Sequence, residues 1–302
     1  MMLKVACAVV CLGAVFDVRA QDQPSAREIL LRAKASYDLT QHLSMDIDVE
    51  VDHEFPFKIQ LEWMRDGNRY RVDTAGSLDK NGKHIAPIDP AIYLFDGREH
   101  WMYTLSPGTE GPRPELRIQS GPKAERQLNS VWYAGLCLDG VLYGDMEDVF
   151  TILLRQINSG TITVKPVTLD ARECVHIAAA VPEGEYELWL DPAEGYRLRK
   201  SIVVKSGEQP LFDVPMSQST EWSSVQATVT DIEIKDVLNG RLAVSGRMRI
   251  QGTPAEMSGR KVSAEGDLYT FSRSNSRFGT TLSAADIALK LPEGTQIYRH
   301  DK

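Results

Sequence analysis

Apolar and polar side chains alternate along several stretches of the chain, as in β-strands with one buried face. Residues 45–52 alternate apolar with acidic side chains, and residues 57–64 continue the alternation after a short break. The sequence Asp66-Gly67-Asn68 then predicts a turn into a third strand containing Tyr70 and Val72. The acidic positions are those that face water on a half-buried strand.

The same pattern recurs through the rest of the chain, so the second half is predicted to be almost wholly β. A hairpin is expected at residues 92–105, around the turn Asp96-Gly97. Further strands are predicted near residues 161–164, 174–180, 185–190, 196–204, 229–234 and 242–250.

The stretch EYELWLDPAEGYRLRKSIVVKS, residues 185–206, predicts a hairpin. In its first strand Tyr186, Leu188 and Leu190 share one face. Residues 191–195 contain Pro and Gly at positions that favour a turn, so Asp191 is interpreted as a turn residue. In the second strand, alternation predicts one apolar face opposite a basic one; the apolar face holds Leu198, Ile202 and Val204, and the basic face Arg197, Arg199 and Lys205.

Two segments have helical spacing. Residues 24–37 place four apolar side chains on one face after a Pro-Ser start, namely Ile29, Leu30, Ala33 and Tyr37. Residues 144–158 form a second amphipathic segment, with Asp145 as the expected N-cap and Gly160 as the stop. A one-sided sheet needs a cover. The predicted fold is therefore α+β, mainly β: a curved antiparallel half-barrel sheet covered by two or three helices, forming one domain over residues 21–302.

The N-terminus predicts export. Lys4 precedes an apolar run at residues 5–16 that is too short to span a bilayer, and residues 18–20 offer a small-residue cleavage site. Residues 1–20 are therefore interpreted as a cleaved signal peptide, so the mature protein is expected in an exported compartment. The resemblance given below implies that this compartment is the periplasm. Cleavage changes the formal charge from −8 to −9, so nucleic acid is not an expected partner. The two remaining cysteines, Cys137 and Cys174, are expected to form a disulfide in an oxidising compartment, with two buried thiols as the alternative.

Signs of catalysis are sparse. No two of the six histidines are spaced as metal ligands, and the chain has no CxxC, phosphate loop or nucleophile elbow. No catalytic residue, metal or cofactor is predicted, although a hydrolase assembled in space around His100 or His176 stays open as an alternative. Large apolar side chains are more prominent: Phe57, Trp63 and Trp101 fall on the apolar positions of their strands. They either fill an ordinary core or line a site for an apolar ligand.

Several fragments together resemble the superfamily of periplasmic lipoprotein carriers and sensors that contains LolA, LolB and RseB-like proteins. They lie at residues 26–37, 61–71, 93–103, 188–200 and 291–295, the fourth reading LWLDPAEGYRLRK. The resemblance implies a half-barrel with an apolar cavity that accepts a lipid or a lipoprotein acyl chain. The lining residues it suggests are Phe57, Leu61, Trp63 and Trp101.

A carrier of this kind is not an enzyme, and it needs few polar motifs because each buried methylene contributes ~0.8 kcal/mol. Residues 206–302 have no assigned role under this hypothesis. The extra length leaves room for an alternative, an envelope sensor or interaction module whose sheet edge or loop 106–114 contacts an envelope protein partner.

Overall fold

The computed structural model describes residues 24–52, 56–79, 81–85, 90–106, 113–120, 136–220, 222–238, 240–255 and 266–300. The predicted signal peptide lies outside these ranges, as do residues 107–112 of the predicted interaction loop.

Strands dominate the described chain. Two α-helices lie wholly within the described ranges, α1 (Ala26–Asp38) and α2 (Val149–Arg155). The strands, in chain order, are β1 His42–Asp52, β2 Phe57–Asp66, β3 Arg69–Leu78, β4 His84–Ile85, β5 Ala91–Phe95, β6 Glu99–Ser106, β7 Arg113–Ser120, β8 Thr161–Leu169, β9 Arg172–Val181, β10 Gly184–Asp191, β11 Arg197–Ser206, β12 Pro210–Leu211, β13 Val214–Pro215, β14 Trp222–Val237, β15 Gly240–Pro254, β16 Asp267–Phe278 and β17 Gln296–His300.

One large sheet contains nearly all of these strands. Its order is β17-β7-β6-β5-β3-β2-β1-β16-β15-β14-β11-β10-β9-β8, with β4 beside β3, while β12 and β13 form a separate pair. Neighbouring strands are antiparallel except β17 and β7, which are parallel. The sheet is curved and not closed into a barrel, which confirms the predicted fold class.

The C-terminal residues that lacked a role in the sequence are central to this sheet. β14, β15 and β16 lie between β11 and β1 and join the N-terminal strands to the strands that follow α2. β14, β15 and β16 therefore form the middle of the sheet.

The sheet has an inner face, which carries the main hydrophobic cluster together with both helices, and an outer face. β1 shows the predicted alternation, with Met45, Ile47, Val49 and Val51 buried on the inner face. On the outer face the acidic side chains pair with polar neighbours: Gln60 Nε2, for example, donates to Asp48 at 3.0 Å. This confirms the acidic side chains as the polar side of a half-buried strand.

α1 forms as predicted. Ser25 caps its N-terminus by accepting a hydrogen bond from the Glu28 amide at 3.3 Å. The four predicted apolar residues are all buried, and the helix packs against α2, β8 and β11. Ser36 Oγ also donates to the carbonyl of Gly195 at 2.5 Å, which attaches α1 to the β10–β11 turn.

α2 is shorter than predicted, and Asp145 is not its cap. The helix begins at Val149 after Asp148, whose carboxylate accepts from the Thr151 amide at 2.8 Å. Gly144 has a φ of +84°, a left-handed conformation that a helix does not contain. The chain therefore turns at residues 144–148, and this turn directs the Asp145 side chain into the core.

The β10–β11 hairpin confirms the first strand and the turn but corrects the second strand. Asp191 accepts from the Ala193 amide at 2.9 Å and begins a short 3-10 helix, Pro192–Glu194, so it is a turn residue as predicted. The register of β11 shifts at a bulge opposite Trp189 and Leu190. Beyond the bulge Val203 and Lys205 are buried on the inner face, whereas Ile202 and Val204 lie on the outer face.

Cys137 and Cys174 are both buried free thiols, so the predicted disulfide is wrong and the alternative of two buried thiols holds. Cys137 belongs to the inner core cluster. Cys174 precedes the inward-facing Val175 on β9 and therefore points to the outer face. The sheet separates the two sulfur atoms. Burial raises the pKa of both thiols, that of Cys137 to about 12, so both are in the neutral thiol form at pH 7.

Candidate ligand-binding face

The register of the sheet brings aromatic side chains from four strands together on the inner face. In one row Trp63 of β2 is level with Val72 of β3, Tyr93 of β5 and Met102 of β6. Residues directly opposite one another in antiparallel strands share a face, so these side chains form one continuous surface.

The adjacent row, two residues further along each strand, lies on the same face. It runs from Arg65 of β2 through Tyr70 and Phe95 to His100 of β6. We define the aromatic face as Trp63, Tyr70, Tyr93, Phe95 and His100.

Contacts between rings hold the aromatic face together. The Trp63 and Tyr70 rings stack with centroids 5.9 Å apart and planes inclined by 14°. The centroid of the Tyr70 ring lies 5.7 Å from that of Phe95 and 6.4 Å from that of His100. The centroids of Tyr93 and His100 are 6.2 Å apart. These separations are within the range of favourable aromatic pairs.

Three of the four predicted lining residues lie on this inner face. Leu61 and Trp63 are buried on β2, and Phe57 at the start of the same strand is half-buried. The alternation of β2 predicted this, since the three residues are separated by even intervals.

Trp101, the fourth predicted residue, is on the outer face. It is level with Leu94 of β5 and Ile118 of β7, and its indole Nε1 donates to Glu99 at 3.2 Å. The sequence alone did not determine which side chains of β6 point to the inner face, because large apolar side chains occupy both sets of alternate positions in HWMYTL. The hairpin register decides it: Phe95 is opposite His100, so His100 faces inward.

The segment that precedes β17 contacts the outer face of the sheet at β2 and β3. Arg71 Nη1 donates to the carbonyl of Asp286 at 2.8 Å, and the Leu282 amide donates to Asp66 at 3.1 Å. Leu282, Leu94 and Ile118 are all buried. Trp101 lies on the same outer face as Leu94 and Ile118 and is separated from the aromatic face by the sheet.

His100 is the polar member of the aromatic face. The residue is only 1% exposed. Its Nε2 atom has no hydrogen-bond partner among the described residues. Burial lowers the pKa of the imidazole to about 4, because a charged ring in this environment would lose its hydration. His100 is therefore neutral at pH 7.

Two buried ion pairs, absent from the sequence predictions, lie elsewhere on the inner face. Lys205 Nζ is 2.7 Å from Asp145 Oδ1, with both side chains nearly inaccessible, and Tyr186 donates to the same oxygen at 2.9 Å. Arg273 and Asp139 form the second pair at 2.8 Å. The alternation pattern had placed Lys205 on the polar face, and no local motif marks a buried charge.

Burial is the main influence on Asp145. It raises the pKa of the carboxyl to about 6, although the Lys205 ammonium opposes the shift. The pKa of Tyr186 is also raised, by burial first and by the neighbouring Asp145 charge second. This cluster connects the loop before α2 to β10 and β11, so its role is to fix the helix cover on the sheet.

The histidines suggested for a hydrolase lie on opposite faces of the sheet. His176 is on the outer face, 3.1 Å from Glu187 and with its ring 4.5 Å from that of Trp189. His100 faces inward, so the two cannot form one catalytic group. Within the described ranges, no cluster of three or more His, Cys, Asp or Glu side chains is arranged to hold a metal ion. The helices described there are also too short or too polar to cross a membrane.

Comparison with known proteins gives no family assignment from sequence. No family model and no curated protein matches the chain. Several solved structures are similar over most of its length. One is described as an outer membrane lipoprotein-sorting protein domain from Vibrio parahaemolyticus, with 13% identity, a TM-score of 0.45 and coverage of 86% of this chain and 95% of the other.

Two further structures have comparable coverage. A DUF1329 family protein from Desulfovibrio piger is 8% identical with a TM-score of 0.44, covering 87% of this chain and 95% of its own. The Pseudomonas aeruginosa MucA/MucB complex is 10% identical with a TM-score of 0.28, covering 81% and 93%. At this level of similarity the comparisons assign neither a family nor a function.

Proposed function

We propose that this protein is a non-enzymatic, exported binding protein that holds a lipophilic ligand or a lipoprotein acyl chain in its half-barrel, against the aromatic face. The observation that supports the proposal best is the alignment of aromatic side chains from four neighbouring strands on the inner face. A lining of apolar and aromatic groups with few polar atoms is typical of sites for apolar ligands.

The lining extends along β2 beyond the aromatic face. Leu61 and Phe57 follow Trp63 toward the start of the strand, level with or close to Ala91 of β5 and Val51 of β1. An acyl chain lying along these strands would gain ~0.8 kcal/mol for each methylene it removes from water. The affinity would come from the apolar surface area that binding removes from water, and it would require few polar contacts.

Access to the aromatic face requires movement. Trp63 is 2% exposed and Tyr93 is 6% exposed, so an acyl chain reaches them only when the packing over them opens. Such opening is within the range of local motions that cost less than global unfolding. Uptake of a ligand is therefore expected to be slower than diffusion and to speed up with temperature.

Substitution of Trp63 tests this proposal against a matched tryptophan. Trp63→Leu removes an aromatic surface from the proposed site, and it is expected to raise the Kd of a fluorescent fatty acyl probe about tenfold, which corresponds to about 1.4 kcal/mol. Trp101→Leu removes the same amount of side chain on the outer face and is expected to change the Kd less than about twofold. Both constants are measured by fluorescence titration at temperatures well below each variant's thermal midpoint.

Equal effects of the two substitutions would contradict the placement of the ligand, because only Trp63 lies on the inner face. Absence of probe binding by the unmodified protein would contradict the proposed function itself.

A further inference from the structure

His100 Nε2 has no hydrogen-bond partner among the described residues, and this indicates which chemical groups a ligand would present there. A buried polar atom without a hydrogen bond costs free energy, whereas an apolar side chain of similar size at this position would carry no such cost. His100 Nε2 lacks this hydrogen bond within the described residues, although the residue is only 1% exposed. A polar atom retained at this cost beside an aromatic lining marks a position where a ligand can supply the missing partner.

The surroundings of His100 are aromatic. The centroids of the Tyr70 and Tyr93 rings lie 6.4 Å and 6.2 Å from that of His100, and Phe95 lies directly opposite on β5. On its other side, Gln119 of β7 is level with it. His100 therefore forms a polar point at one end of the apolar lining.

We infer that His100 Nε2 forms a hydrogen bond with the polar head of the bound lipid and so anchors it. This inference rests on the proposed function. The ligand class is an acyl chain with an uncharged hydroxyl or carbonyl head, such as a fatty alcohol or an acyl ester. A plain hydrocarbon cannot make this contact.

The electrostatics favour an uncharged head. Because burial lowers the pKa of His100 to about 4, the ring at pH 7 is neutral and offers one donor and one acceptor nitrogen. A hydroxyl can bind Nε2 in either tautomer, and a carbonyl can bind it when Nε2 carries the proton. The described charged and titratable groups that face this side from β2, β3, β5, β7 and β17 are Arg65, Tyr70, Tyr93, Arg117 and Tyr298, together with Glu115, to which Arg117 is paired.

The register also gives the direction of the chain. Three strand spacings of ~4.8 Å separate His100 from Arg65, the residue of β2 in the same row, and Trp63 is two residues from Arg65 at ~3.4 Å per residue. The distance from His100 to Trp63 is therefore ~16 Å. One lipid leaflet contributes about half of the ~30 Å hydrocarbon core of a bilayer, so an acyl chain has a similar length. With its head at His100, the chain would cross β5 and β3 and end near Trp63.

The test compares ligands that differ only in their head. Dodecanol, dodecyl acetate and dodecane are used to displace a fluorescent acyl ester from the unmodified protein and from His100→Phe and His100→Gln. The unmodified protein is expected to bind dodecanol and dodecyl acetate about tenfold more tightly than dodecane at pH 7, the equivalent of one polar contact of about 1.4 kcal/mol. His100→Phe is expected to lose this preference, whereas His100→Gln, which keeps a donor and an acceptor, retains most of it.

The outcomes separate the anchor from the carrier. The role of His100 would be contradicted if the unmodified protein bound all three compounds equally tightly, or if His100→Phe kept the preference for dodecanol and dodecyl acetate over dodecane. Either result would leave the proposed lipid-binding function intact. Binding of none of them would overturn the proposed function. Thermal unfolding shows which variants are folded. If His100→Phe does not fold, His100→Leu replaces it, and the preference of the unmodified protein decides the proposal by itself.

Discussion

Lys205→Met is expected to lower the free energy of unfolding at pH 7 by about 3–5 kcal/mol. The substitution keeps most of the side-chain volume but removes the ammonium that lies 2.7 Å from Asp145. Asp145 then stays buried with only the Tyr186 hydroxyl, which donates at 2.9 Å, to stabilise its charge. Urea denaturation of the unmodified and variant proteins measures the difference.

An exposed ion pair provides the matched control. Arg247 pairs with Asp231 on the surface, with side chains 53% and 52% exposed. Arg247→Met is therefore expected to cost less than about 1 kcal/mol. A loss for Lys205→Met as small as that for Arg247→Met would contradict the inference that the buried pair fixes the helix cover.

The pH dependence gives this prediction a second signature. Burial holds the pKa of Asp145 at about 6, above its usual value of 3.8. A raised carboxyl pKa contributes stability at low pH, and this contribution is lost as the pH rises through about 6. Without Lys205 the charged form is still less favourable, so the deficit of Lys205→Met is expected to be smaller at pH 5 than at pH 8.

The second large effect concerns His100 and acid. Its pKa is lowered from 6.5 to about 4 in the folded protein, so between these values the unfolded chain binds the proton that the folded protein excludes. The stabilising contribution is thus present above about pH 6.5 and lost as the pH falls toward 4. The loss amounts to about 3 kcal/mol at most, at 1.36 kcal/mol per pKa unit.

His100→Gln removes the ionisable ring and isolates this contribution. The free energy of unfolding of the unmodified protein minus that of the variant is expected to fall between pH 7 and pH 4, because carboxylates common to both proteins cancel. The same measurement on His42→Gln, in which the replaced side chain is 53% exposed, provides the matched control. A pH-independent difference for His100→Gln would show that the ring is not buried as described.

The sequence predicted those features that follow from a sheet with one buried face. In β1 and in residues 57–63 of β2 every second residue is apolar, so alternation identified both strands and their inner residues, including Leu61 and Trp63. The Ser25 cap and apolar spacing likewise identified α1. These signals are local, and each depends only on residues a few positions apart.

The features that failed are those decided by pairing between distant residues. A bulge in β11 moved Lys205 inward, and the Phe95–His100 register moved Trp101 outward. A shift of one residue reverses every side chain of a strand, so a local pattern cannot determine the face once the alternation is interrupted. The partner of Lys205, Asp145, is 60 residues away in the chain, and only the fold brings the two together.

The most direct test of the central claim is native mass spectrometry of the protein purified gently from cells, followed by incubation of a delipidated sample with an acyl lipid. We expect an added mass of lipid size that disappears on denaturation, returns on incubation with the lipid, and is reduced in Trp63→Leu but not in Trp101→Leu. A bare protein mass in both samples would contradict the claim that the aromatic face binds a lipophilic ligand.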